Sequence, residues 1–135
     1  MKYWLVKSEP FKDSWEKFNA DGRTFWDGVR NFQARNNLKA MQEGDLVLFY
    51  HSNEGKEVVG VAKVVEESYQ DPSTEDTNWV VVDLIPVETL KRPVTLREIK
   101  ADERLKDIGL IKQGRLSVME LDVYAFDRIL ELANS

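Results

Sequence analysis

Three runs of β-branched and apolar residues follow one another in the middle of the chain without a helical pattern between them. They cover residues 45–51, 57–65 and 79–87, and short stretches rich in turn-forming or acidic residues separate them. Strands that pair in parallel need a crossover connection of about a dozen residues or more, usually a helix. The three runs therefore predict antiparallel pairing and argue against a doubly wound parallel sheet.

Helix signals lie on both sides of these strands. Asp13 and Glu16 have the spacing of a capping box, which predicts a short helix over residues 14–19. Thr95 and Glu98 repeat that spacing and predict a second short helix. The remaining predicted elements are a first strand over 2–8, a helix over 31–42 with Phe32, Leu38 and Met41 toward the core, a late strand over 115–119, and a last helix capped by Asp122.

Together these elements predict a fold class. Strands and short helices in no strict alternation are typical of an α+β domain, here a curved, mostly antiparallel β-barrel of five to six strands with short flanking helices. The length of 135 residues suits one domain. Because no repeat, linker or low-complexity stretch interrupts the chain, we expect a single domain over residues 1–135.

Composition excludes several kinds of chemistry. With no cysteine and one histidine, the chain cannot form a disulfide, a cysteine nucleophile, an iron–sulfur site or a Cys/His zinc site. The sequence also lacks the glycine-rich nucleotide-binding loops and the G-x-S-x-G nucleophile elbow. We therefore expect no catalytic residue, no metal and no cofactor.

The same composition bears on location. A chain without cysteine suits the reducing cytoplasm. The apolar run at residues 3–6 is too short for a signal peptide or a membrane span. We expect a cytoplasmic monomer that does not associate with membranes.

Charge is unevenly distributed along the chain. The formal net charge of −5 argues against a protein that coats nucleic acid through bulk electrostatics. Residues 91–115, however, carry eight basic and four acidic side chains, and residues 23–39 add a smaller basic group. Either cluster can serve a small anionic ligand, and either can equally be a solvated face that balances the acidic residues 54–90.

Residues 25–37 are the most informative segment. They read FWDGVRNFQARNN, and six amide or guanidinium side chains lie within the eight residues from Arg30 to Asn37. Asn and Gln match the edges of bases, Arg matches guanine edges or phosphates, and Trp26 offers a face for stacking. Two interpretations stay open, because asparagine also caps helices and tryptophan often lies in the core.

His51 is the only histidine in the chain. It ends a predicted strand beside Tyr50 and Ser52, where a neutral imidazole can hydrogen-bond a ligand or simply cap the hairpin. It is also the natural base for an alternative function, an enzyme that acts on a nucleotide or small metabolite. A protein or peptide interaction module is the other alternative.

Five strings resemble the EVE domain family, which includes the thymocyte nuclear proteins, belongs to the PUA-like fold group and is related to the YTH domains. They are KYWLVKSEP at 2–10, FWDGVRNFQARNNLKAM at 25–41, GDLVLFYHS at 44–52, VVGVAKV at 58–64 and RLSV at 115–118. The resemblance implies a non-enzymatic module whose barrel has a pocket at one end for a modified base flipped out of DNA or RNA. Its partner would be modified DNA or RNA with a small footprint.

The resemblance also implies which residues form the site. An extruded base costs a few kcal/mol of stacking, which aromatic faces and hydrogen bonds must recover. The modified-base pocket would comprise Lys7, Ser8, Trp26 as an aromatic wall, Asn31, Tyr50, His51 and Ser52, and the phosphate or rim contacts would be Arg30, Arg35, Arg115 and Ser117.

This sequence departs from the family pattern at two positions. Phe32 stands where tyrosine is common, and Lys63 stands where an acidic residue is more usual. The YTH cage has several aromatic walls, and only Trp26 corresponds to one of them here. A specificity for methylated adenine therefore does not carry over, and we expect the other tryptophans, Trp4, Trp15 and Trp79, to lie in the core.

Overall fold

The computed structural model describes residues 1–8, 14–52 and 55–135. In chain order the elements are β1 (Tyr3–Ser8), α1 (Trp15–Asp21), β2 (Thr24–Phe25), α2 (Phe32–Ala40), β3 (Leu46–His51), β4 (Glu57–Gln70), β5 (Val80–Thr95), α3 (Leu96–Ala101), α4 (Gly109–Lys112), β6 (Val118–Leu121) and α5 (Val123–Ala133).

The strands form one six-stranded sheet in the order β2-β5-β4-β3-β1-β6. The pairs β2–β5, β5–β4, β4–β3 and β1–β6 are antiparallel, which confirms the predicted pairing of the three central strands β3, β4 and β5. β1 and β3 pair in parallel, from Tyr3 opposite Leu46 to Ser8 opposite His51. The segment between them, with α1, β2 and α2, is the crossover that this pairing requires.

The sheet is curved. Its two longest strands, β4 and β5, shift register at four points between Val58 and Tyr69. Such bulges bend a strand and increase its twist. α2 packs against β4, β5 and β6, so one short helix contacts two of the four inner strands and the edge strand β6. The expected α+β class with six strands and short flanking helices is confirmed.

Two tryptophans anchor the core. Trp4 is fully buried, and its indole N–H donates to Oδ2 of Asp45 at 2.9 Å. Asp45 is also buried, which opposes its ionisation, but hydrogen bonds from the Gln42 and Lys2 backbones and from Trp4 hold its pKa below the ordinary value. Trp15 is buried as well and donates its indole N–H to Oγ1 of Thr89. The core prediction is confirmed for both.

Several element boundaries differ from the prediction. Ser14 caps α1 by accepting a hydrogen bond from the Lys17 N–H; the predicted cap, Asp13, lies outside the described residues. β6 begins at Val118 instead of residue 115. The prediction that Phe32 faces the core is wrong, because α2 turns Ala34 and Leu38 inward and leaves Phe32 57% exposed.

In the parts of the chain that the structure describes, no helix has the length and apolar character needed to cross a membrane.

Candidate functional site

The parallel pairing of β1 with β3 brings five predicted pocket residues together. Lys7 lies opposite Tyr50, and Ser8 lies opposite His51. Ser52 continues this contact, since both its backbone N–H (2.7 Å) and its hydroxyl (3.1 Å) donate to the carbonyl of Ser8. Parallel strands end on the same edge of a sheet, so the two strand ends come together although their segments lie far apart in sequence. Side chains alternate along a strand, so Lys7 and Tyr50 lie on one face of the sheet and Ser8 and His51 on the other.

Lys7, Tyr50 and Ser52 line an open depression of about 290 Å³, here called the strand-end depression. The Lys7 ammonium donates to the carbonyl of Gly114 at 2.7 Å, which orients its stem along the depression. Burial lowers the pKa of Lys7 and raises the pKa of Tyr50. Tyr50 therefore keeps its phenolic proton at neutral pH and can donate a hydrogen bond. The other lining residues are Lys56, Leu96, Lys100, Leu110, Ile111 and Gly114.

The imidazole of His51 makes a hydrogen bond within the protein. Its Nε2 accepts a 3.0 Å hydrogen bond from the backbone N–H of Trp15, the first residue of α1. Burial lowers the pKa of His51, and the charges of Glu57 and Glu16 oppose this. The ring is thus neutral with its proton on Nδ1, and it caps helix α1 and not the hairpin. A general base would need the lone pair that Trp15 already occupies.

Trp26 lies away from the strand-end depression. It is only 7% exposed and packs edge-on against Phe49, with ring centroids 5.5 Å apart. With Phe18 and Thr24 among its neighbours, it lines a small cavity of about 30 Å³. That volume suits about one or two water molecules and is too small for a base. Trp26 is not one of the residues that line the strand-end depression, so a role for Trp26 as a wall of the pocket stays a prediction.

Asn31 and Arg115 meet across a second depression of about 330 Å³, here called the helix-start depression. Asn31 caps α2, because its Oδ1 accepts from the Ala34 N–H at 2.9 Å. Its side-chain NH₂ group is the part of Asn31 left for a ligand. Gly114 lines both this depression and the strand-end depression, so the two are adjacent.

Ser117 lies beside β1 and is half-buried. Its carbonyl accepts from the Lys7 N–H at 2.9 Å, which extends the pairing of β1 with the chain before β6. The RLSV string therefore borders the strand-end residues, as the resemblance implies.

Arg30 and Arg35 make contacts within the protein. The Arg30 guanidinium donates to the buried carboxylate of Asp71 at 3.1 Å and lies 5.6 Å from the ring of Trp79. Arg35 lies 4.9 Å from the ring of Phe32, which stacks on Trp79 at 5.0 Å. These four side chains form a surface stack. A role for either arginine in phosphate binding stays a prediction.

Asp71 holds this stack in place. Its burial favours the protonated form, but hydrogen bonds from the Ser73 side chain and backbone, the Gly28 backbone and Arg30 lower its pKa to about 2. Trp79 is half-buried and so belongs to the surface stack, not to the core where the sequence predicts it. Its place beside residues 30–35 depends on the long connection between β4 and β5, which carries no local signal for that contact.

The structure adds three cations that sequence reasoning did not single out. Lys56 and Lys100 line the strand-end depression, and Arg97 lies with them around a third depression of about 380 Å³. The excess of basic residues over 91–115 is the signal that could have identified two of them.

The chain is a small α+β domain whose polar strand ends open onto a depression lined by lysines. The EVE domain family model matches residues 2–132, and this chain belongs to that family.

Individual relatives agree with this assignment. Thymocyte nuclear protein 1 of Mus musculus is 38% identical over a gapped alignment of 164 positions, which covers 96% of this chain and 73% of the mouse protein. Among solved structures, a protein from Agrobacterium tumefaciens is 42% identical with a TM-score of 0.97, over 98% of this chain and 93% of that one. The human THYN1 protein in complex with DNA containing 5-methylcytosine is 34% identical with a TM-score of 0.94, over 100% of this chain and 99% of that one.

Proposed function

We propose that this chain is a non-enzymatic reader that binds a modified base flipped out of DNA or RNA. The observation that carries the proposal is the likeness to the human THYN1 protein, whose structure contains DNA with 5-methylcytosine. The likeness extends over the whole chain, so it includes both strand ends and the segment from Arg115 to Ser117.

The strand ends offer the hydrogen-bonding groups that a flipped base needs. Tyr50 keeps a phenolic proton and lines the strand-end depression together with Ser52. Asn31, at the helix-start depression, has an amide NH₂ group with no partner among the described residues. Contacts of this kind compensate the few kcal/mol lost when a base leaves its stack. In this proposal Ser8 and His51 hold the strand ends and α1 in position around the base. For Trp26 to supply a wall, the side chains around its cavity of about 30 Å³ must move apart when the base binds.

The charge pattern supports a small footprint. A net charge of −5 disfavours long tracking along a duplex, while the basic side chains near the depression favour capture of one base with its flanking phosphates. Arg115 is exposed at the rim and is the best placed of the predicted phosphate contacts.

An enzyme that uses His51 as a base is less well supported. The lone pair of Nε2 accepts from Trp15, so proton abstraction would first have to break a bond that holds α1. The structure offers no observation that favours a peptide-binding module over the reader.

Titration of short oligonucleotides tests the proposal. Strands with 5-methylcytosine, N6-methyladenine or no modification should differ in affinity, measured by fluorescence anisotropy. Trp26→Phe, which keeps an aromatic ring in the core, should retain the fold while reducing the preference for the modified strand. Equal weak binding of all strands, unchanged in Trp26→Phe and in Tyr50→Phe, would contradict a modified-base reader.

A further inference from the structure

Three surface depressions lie next to one another along the protein surface. The depression around Arg97 shares Lys56, Leu96 and Lys100 with the strand-end depression, and the strand-end depression shares Gly114 with the helix-start depression. The combined surface, here called the basic groove, runs from α3 past the ends of β1 and β3 to the start of α2. It therefore extends well beyond the predicted pocket residues.

Among the residues that the structure describes, the basic groove is lined by five cations and by no aspartate or glutamate. None of the five forms an ion pair with a residue that the structure describes, whereas Arg23, Arg30, Arg92 and Arg128 elsewhere are each paired with a carboxylate. In a chain of net charge −5, such an unneutralised strip is an anion-binding feature. The five cations are Lys7, Lys56, Arg97, Lys100 and Arg115.

The backbone around Lys56 is held in an unfavourable conformation. Lys56 has a φ of +48°, in the left-handed region that few residues other than glycine adopt. Its carbonyl accepts from the Leu96 N–H at 2.8 Å, which ties the start of β4 to the start of α3. This bond fixes Lys56 and Lys100 on the same side of the groove.

The floor between the cations is apolar. Leu96, Leu110 and Ile111 line it together with the ring of Tyr50. A positively charged track with an apolar and aromatic floor is the surface that single nucleic-acid strands use, since phosphates need cations while sugars and base faces need apolar contact. A small free anion has no apolar surface to bury against that floor.

We propose that the basic groove binds the sugar–phosphate backbone of the nucleic-acid strand on one side of the recognised base, with Lys56, Arg97 and Lys100 as phosphate contacts. This inference rests on the proposed function, because it takes the strand ends as the place where the base binds. It adds a direction for the strand, from Arg115 across the strand ends toward α3.

Salt dependence separates phosphate contacts from base contacts. Each phosphate neutralised on a single strand contributes about 0.7 to the slope of log affinity against log salt, and about 0.9 on a duplex. Loss of one contact should then reduce affinity roughly four- to fivefold at physiological salt, by the same factor for modified and unmodified strands. Loss of a base contact would instead change the preference for the modified strand.

The variants are Lys56→Asn, Lys100→Gln and the double substitution. Asparagine tolerates the left-handed backbone at position 56, so Lys56→Asn removes the charge without adding strain. Lys39→Gln is the matched control, an exposed lysine that lines none of the three depressions. Anisotropy titrations with DNA and RNA strands, with and without a modified base, are run between about 50 and 200 mM salt.

We expect each single groove variant to make the slope of log affinity against log salt less steep by about 0.7 on a single strand, the contribution of one phosphate contact. The double variant should lose affinity roughly 15- to 30-fold, and Lys39→Gln should keep the affinity and slope of the wild type. This pattern with unmodified strands supports the groove even if the protein shows no preference for a modified base, so failure of the proposed function is seen separately. Wild-type affinity and slope in both groove variants would overturn the inference while leaving the reader intact. Absence of salt-dependent binding to every strand would overturn both.

Discussion

The backbone N–H of Trp15 donates to Nε2 of His51, with the two nitrogens 3.0 Å apart. This bond joins the first turn of α1 to the end of β3, directly beside Ser52. A protonated imidazole has no lone pair to accept it. The protonation state of one side chain thus decides how firmly α1 is attached next to the predicted pocket.

Acidification should therefore lower the free energy of unfolding by protonating His51. Its pKa in the folded state lies below the ordinary 6.5, because burial outweighs the charges of Glu57 and Glu16. The unfolded chain takes up this proton at a higher pH than the folded chain, so the stabilisation is complete above about pH 6.5 and is lost as the pH falls through the folded-state pKa. Urea unfolding between about pH 8 and pH 5 should show a steeper loss for the wild type than for His51→Gln, which keeps an acceptor but does not titrate. Parallel pH profiles would contradict this role.

Gly60 is required for the packing of Trp15. A Cβ atom at position 60 would lie 2.3 Å from Cζ2 of the Trp15 indole, which is itself buried. We expect Gly60→Ala to lower the free energy of unfolding by roughly 1–3 kcal/mol, the usual cost of overpacking a core. Gly114→Ala is the control, since nothing lies within 4 Å of its added Cβ, and its effect should stay within about 0.5 kcal/mol. Equal denaturation midpoints for the two variants would refute this packing argument.

Asp71 should contribute stability that acid removes. The pKa of about 2 in the folded protein, against an ordinary 3.8, corresponds to about 2 kcal/mol at neutral pH. Because the folded-state pKa is the lower one, this contribution is present above about pH 4 and is lost as the pH falls through 2. Asp71→Asn should therefore be less stable than the wild type at pH 7 and nearly equal to it at the acid end of a chemical denaturation series. Asp76→Asn, an exposed carboxylate in the same loop, should have little effect at either pH.

Arg30 and Arg115 should respond differently to the same substitution. Arg30→Gln removes a partner of the buried Asp71 carboxylate, and we expect a loss of roughly 1–3 kcal/mol in stability. Arg115→Gln removes an exposed cation at the rim, and we expect stability within about 0.5 kcal/mol and a roughly four- to fivefold loss in oligonucleotide affinity. Thermal unfolding and anisotropy on both proteins check this. A large stability loss in Arg115→Gln, with unchanged affinity, would mean that Arg115 stabilises the fold and does not contact the nucleic acid.

Local signals made parts of the fold predictable. The capping box at Thr95 and Glu98 is present, and Asp122 caps α5 by accepting from the Ala125 N–H. Each of these bonds spans three residues, so the sequence pattern contains both partners. The strand runs were predictable for the same reason, because β-branched residues report local backbone preference.

Contacts between distant segments were not predictable from such patterns. The pairing of Lys7 with Tyr50 depends on a parallel register that no turn specifies. The placement of Lys56 beside Lys100 depends on the Lys56–Leu96 hydrogen bond between two elements. Only the family resemblance predicted that residues of the two strand ends belong to one site.

The position of β1 in the sheet also determines when the groove can form. Both neighbours of β1 are distant in sequence: Tyr3 pairs with Leu46 on one side and with Leu121 on the other. Contacts of such long range form late and slow the folding of a chain. β1 is synthesised before both of its partners, and one of its edges stays unpaired until β6 has left the ribosome. A chain released before residue 118 would contain every groove-lining residue but would leave that edge of β1 unpaired, so the strand end that carries Lys7 and Ser8 is fixed only when synthesis of the sheet is complete.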